Sequence, residues 1–143
     1  MPKYTTYKTL DSLDEVELLE VPNGYVAEWT VLFLSNSTSA SADTSVSVNV
    51  YDKRDESTGA PTNFLIAVAD SATLSPGEYV LEDSFLFVLQ PGQIVTAMAD
   101  QPDSARVALT FEALEAPATI TNFTGAPKQV KSTRGLVNRG KAL

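Results

Sequence analysis

The chain has 143 residues, 43% hydrophobic and 20% charged, which suits one globular domain with a real core. It has neither cysteine nor histidine, which removes disulfides, thiolate metal sites, cysteine nucleophiles, the usual general base and any Ser-His-Asp triad. The net charge of −8 is uneven: residues 1–116 hold all eighteen acids and five bases, a net −13, while residues 117–143 hold five bases and no acid. Such an asymmetry points to a partner for the basic end.

Residues 1–14 are polar, with Tyr4 and Tyr7, and read as an N-terminal arm, with a short edge pairing as the option left open. The opening MPKYTTYKTL lacks the apolar stretch of a signal peptide, and no run approaches about eighteen apolar residues. The expectation is a product made in a cytoplasm, with no membrane span. Residues 15–116 then read as a sandwich domain. Asp14 to Val21 could be a helical turn or a strand; its length before the Pro22-Asn23-Gly24 turn favours a strand, with Val16, Leu18 and Val21 facing inward.

Tyr25 to Leu34 reads as the central strand, rich in β-branched and aromatic residues and free of proline and glycine. A period of two puts Ala27, Trp29, Val31 and Phe33 on the core face. The other row, Val26, Glu28, Thr30, Leu32 and Leu34, is polar in the middle and apolar at its end, as when that face becomes covered partway along. After the polar loop SNSTSASAD, Thr44 to Asp52 alternates cleanly. Val46, Val48 and Val50 point in, Ser45, Ser47, Asn49 and Tyr51 point out, and the pattern predicts a long-looped hairpin with the preceding strand. Further strands follow at Asn63 to Ala69, Tyr79 to Leu81, Phe85 to Leu89, Ile94 to Ala99 and Ala105 to Leu114. Turns at Ser75-Pro76-Gly77, Pro91-Gly92 and Gln101-Pro102-Asp103 separate them. About eight short strands without a helix predict an all-β, single antiparallel β-sandwich, jelly-roll-like, with extended N- and C-terminal arms.

From residue 117 the sequence is rich in glycine, proline and basic residues and reads as an extended C-terminal arm. Its candidate partner-binding residues are the apolar anchors Val130, Leu136, Val137 and Leu143 and the bases Lys128, Lys131, Arg134, Arg139 and Lys141. Five charges over so long a stretch, with Phe123 the one aromatic residue, are sparse for nucleic acid. An acidic protein surface is the better match.

The carboxylates are the remaining acid–base candidates: Asp52, Asp55 and Glu56 in one loop, Glu82 and Asp83 in another, Asp100 and Asp103 in a third. None has calcium-loop spacing and none is flanked by the aromatics of a sugar subsite, so they read as solvated loop charge. Trp29 reads as core rather than ligand platform, and Tyr51 and Tyr79 as the more exposed tyrosines. The triplets at Asn36 and Asn122 match a glycosylation acceptor, but without a signal peptide they read as chance. No catalytic, metal or cofactor site is expected.

Four segments carry a resemblance: EVPNGYVAEWTVLFLSN, SVSVNVYD, LSPGEYVLED and LQPGQIVTAMAD. Through them, residues 20–114 resemble the β-sandwich domains of tailed-phage virion proteins. The resemblance implies a non-enzymatic structural subunit located in the virion, first of all a capsid decoration (cement) protein and alternatively a head-to-tail connector or tail component. It implies as partners other copies of the chain, forming a homo-oligomer, and neighbouring virion proteins, clamped by terminal arms. The rival from another class is a glycan- or host-surface-binding module using loops 35–43, 53–62 and 100–104.

Overall fold

The computed structural model describes residues 3–84 and 87–115. The basic segment 117–143, with every partner-binding residue assigned to it above, lies outside the described residues. Among the described residues nine strands follow one another: β1 (Lys3–Leu10), β2 (Val16–Glu20), β3 (Tyr25–Asn36), β4 (Thr44–Arg54), β5 (Pro61–Leu74), β6 (Tyr79–Glu82), β7 (Phe87–Leu89), β8 (Ile94–Ala99) and β9 (Ala105–Glu115).

Alternation in the sequence decides where the core lies. Val46, Val48 and Val50 of β4 are buried, and so are their register partners Ala99, Ala97 and Val95 on β8. Val107 and Leu109 of β9 meet them from the other sheet, within one cluster of buried side chains. Burying a valine or leucine is worth about 1.5–3 kcal/mol, so these rows fix which face of each strand turns inward.

The sheets are antiparallel throughout. One, sheet A, has the order β1-β9-β3-β6, with β7 also on β3; the other, sheet B, runs β2-β8-β4-β5. β6 and β7 share one position beside β3, so eight strand positions wrap as a jelly-roll-like sandwich. The two proline-glycine turns close alike. Glu78 N donates to Ser75 O at 2.9 Å and Gln93 N to Gln90 O at 3.1 Å, and Gly77 and Gly92 take the positive φ that the third turn position requires.

Three expectations change. The stretch taken as an N-terminal arm contains β1, which pairs with β9 from Lys3–Glu112 to Leu10–Ala105 without a shift. The hairpin expected between β3 and β4 is not formed, because these strands lie in different sheets. Each has a core face, and stacking two apolar faces buries more than pairing them side by side.

The third change concerns the phase of β3. Ala27 and Trp29 are buried, but beyond them the buried residues are Leu32 and Leu34, whereas Val31 and Phe33 are only half-buried. A register shift between Trp29 and Val31 against β9 inserts one residue and flips the alternation. The side chains beside the bulge take up groups it frees: the Trp29 indole N–H donates to Val31 O at 2.9 Å, and Thr30 Oγ1 to Thr110 O at 3.3 Å.

Candidate assembly surfaces

Sheet B uses its outer face on itself. Arg54, at the end of β4, grips Glu17 of β2 through both carboxylate oxygens at 2.7 and 2.8 Å, and also Glu20 at 2.7 Å and Gly59 O at 2.6 Å. This fork spans β8, whose Ile94 is fully buried between Glu20 and Tyr51 in the register. The hydrogen bonds from Arg54 hold the Glu17 carboxyl below the usual glutamate range, and the two glutamates raise the guanidinium further. Beside it, one oxygen of Glu15 accepts from Tyr51 Oη at 2.9 Å, Asn49 Nδ2 at 3.3 Å and the Thr96 hydroxyl. Burial, then the Glu15 contact, pushes the Tyr51 phenol up.

On the outer face of sheet A, Lys3 pairs with Glu112 at 3.9 Å and Thr5 with Thr110 at 3.1 Å, and among the described residues nothing covers the rest. A single register row crosses it from Tyr7 on β1 through Ala108 on β9 and Phe33 on β3 to Leu81 on β6. Tyr7 and Leu81, at its two ends, are 58% and 51% exposed. Tyr79 stacks on Phe33 at 5.9 Å and is itself exposed.

The strand edges differ in chemistry. The β1 edge carries Lys3 and Lys8 and no acid, while the chain around β6 carries Glu78, Glu82 and Asp83. No base occurs anywhere from residue 55 to residue 105. The β5 edge is nearly neutral and exposes Phe64, Leu65 and Ile66. It is broken by three register shifts against β4 and by positive φ at Asn63 and Ser71, with the Ser71 N–H taken up by Ser47 Oγ at 2.9 Å. Such bulges prevent a further strand from laddering onto an edge.

The loops proposed for a ligand do not converge as a set. Loops 35–43 and 100–104 meet at one end of the sandwich, joined by Ser37 N to Ser104 O at 2.9 Å. They line a polar cleft of about 240 Å³ with Ser37, Ser39, Ser41, Gln101 and Asp103 among its walls and no aromatic residue. Loop 53–62 sits at the opposite end, the far end of β4. Near that end lies an apolar cleft of about 300 Å³, walled by Tyr4, Val21, Pro22, Tyr25, Phe111 and Ala113. Tyr4 and Phe111 stack there at 5.6 Å.

Three of the singled-out carboxylates are held by structural partners. Asp100 accepts from Ser45 N at 2.8 Å, Asp55 from Ser57 N at 2.9 Å and Asp52 from Gln93 Nε2 at 3.2 Å. Among the described residues no group of acids is placed to hold a metal ion. Asn36 is 2% exposed and spends its amide on Ala42 O at 3.0 Å and Leu74 O at 3.1 Å, so the folded chain cannot present it for glycosylation. Asn122 lies outside the described residues. Tyr51 serves the Glu15 network, whereas Tyr79 is open.

Sequence reasoning allowed β1 only a short edge pairing and missed its length and the Tyr7–Leu81 row. A signal for β1 was present: five of residues 4–9 are tyrosine or threonine, both strand formers. The row had none, since it exists only once the bulge has turned Phe33 outward.

No protein-family model matches the sequence. No curated protein matches it either. Among solved structures, the chain is similar to one from the acidic stable capsid of Helicobacter pylori bacteriophage KHP30, with 19% identity and a TM-score of 0.45, covering 80% of this chain and 93% of that one. It is also similar to a chain of infectious bursal disease virus, Gx strain, with 13% identity and a TM-score of 0.41, covering 82% of this chain and 32% of that one.

Proposed function

We propose that this protein is a non-enzymatic structural subunit of a viral particle, foremost a capsid decoration or cement protein, located in the virion with copies of itself and neighbouring virion proteins as partners. The observation that carries this reading is where the apolar surface lies. Among the described residues it sits on strand edges and on an exposed sheet face, the form taken by protein–protein contacts. Jelly rolls are a standard building block of capsids, though they also serve lectins. The acidic body and basic residues 117–143 supply complementary surfaces for adjoining subunits. In this reading Lys128, Lys131, Arg134, Arg139 and Lys141 set register on an acidic neighbour, and Val130, Leu136, Val137 and Leu143 supply apolar anchors.

The test reverses Lys128, Lys131, Arg134 and Arg139 to glutamate in the full chain and follows incorporation into particles on a sedimentation gradient. Incorporation is expected to fall at least about tenfold, roughly 1.4 kcal/mol of contact, while the circular dichroism of the sandwich is unchanged. Normal incorporation would overturn the clamp. The serine-lined cleft favours one rival, a glycan-binding module. Glycan-array binding that is lost in Asp103→Ala would support that rival instead.

A further inference from the structure

We infer that the two edges of sheet A left unpaired among the described residues recognise each other between copies, so that β1 of one chain adds to β6 of the next and the sheet continues across the junction. The inference rests on the reading of this protein as an assembly subunit and names its partner as a second copy. Strand direction permits the contact. β1 is antiparallel to β9, β9 to β3 and β3 to β6, so β1 and β6 run in opposite directions. A neighbour displaced sideways therefore offers an antiparallel strand, the more stable ladder.

Carrying the internal rows across the junction fixes the register. Lys8 lies in the row of Val107, Leu34 and Val80. The Lys8 of a second copy would thus face Val80, two positions from Glu78 and from Glu82, within reach of a cross-strand diagonal. Tyr7 of that copy would stand beside Leu81 and extend the apolar row. Lys8 and Glu82 are both exposed and form no ion pair among the described residues.

Charge selects this junction over the alternatives. Two β1 edges would oppose lysines, and two β6 edges would oppose carboxylates. The β5 edge is bulged. The contact joins different surfaces, so it propagates into a ring or filament rather than stopping at a two-fold dimer.

The experiment measures self-association of the full chain by sedimentation velocity up to about 1 mM, a range that captures millimolar affinity. It compares the native chain with Lys8→Glu, with Glu82→Lys and with the double substitution. The native chain should form species beyond the dimer as concentration rises. Each single reversal should weaken association about tenfold, near 1.4 kcal/mol, and the double substitution should restore it, which a purely structural role for either residue would not do. Association indifferent to all three substitutions overturns the edge pairing but leaves the assembly reading intact. A chain that stays monomeric throughout also overturns it, and the incorporation assay then judges the assembly reading separately.

Discussion

The two sheets share a core and treat their outer faces in opposite ways. On sheet B, Arg54 binds Glu17 and Glu20 across β8, and Glu15 gathers Tyr51, Asn49 and Thr96. On sheet A, the corresponding face offers an open row from Tyr7 to Leu81 between edges of opposite charge. The edges repeat the contrast: β5 is kinked by bulges, and β1 runs straight. The lesson is that exposed apolar residues alone do not mark a docking edge. Phe64, Leu65 and Ile66 are as exposed as Tyr4, yet their strand offers no regular row of free amides. Side chains that satisfy each other make a wall, and those left over make a contact.

That contrast can be broken by substitution, beginning in the core that both sheets share. Trp29→Ala removes the largest fully buried side chain and the donor that satisfies the bulge. It should cost about 3–5 kcal/mol in denaturant unfolding. A much smaller loss would mean that the bulge, and with it the outward turn of Phe33, does not depend on the indole.

On sheet B, Thr96→Val keeps the shape and removes one donor from Glu15, and should cost about 1 kcal/mol. Arg54→Met should act through pH. The Glu17 carboxyl is held low by Arg54, so the folded state binds fewer protons than the unfolded chain. The resulting stability is present above the ordinary glutamate value and is lost as pH falls through the lowered one. The native and Arg54→Met chains should therefore differ in stability at neutral pH and begin to converge only as pH falls below the ordinary glutamate value, about 4.3, as denaturation at a series of pH values would show.

The smallest effect on folding is expected on sheet A. Leu81→Ser should change unfolding free energy by no more than about 0.5 kcal/mol while weakening self-association. Lost stability without lost association would reverse the roles given to the two sheets.

The strands, their turns and the inward valines of β4 were legible in the sequence because a period of two and proline-glycine turns are local signals. The phase of β3 beyond Trp29 was not. A bulge is chosen by the fit of two sheets, and Val31 and Phe33 are as apolar as Leu32 and Leu34. The role of Arg54 was hidden for a similar reason: Glu17 and Glu20 lie more than thirty residues away and meet it only across β8. The charge split was plain from composition, but composition does not say which edge holds Lys8 and which Glu82. That depends on strand order.

The absence of cysteine allows the most direct test. Full-length Tyr7→Cys and Leu81→Cys chains are mixed under mild oxidation, since residues facing across an antiparallel pair approach disulfide distance, roughly 4–5 Å between Cβ atoms. Covalent pairs containing one chain of each kind are expected, well above either chain oxidised alone. Pairs of like chains only, or no pairs at concentrations where the protein associates, would contradict the continuation of sheet A from copy to copy.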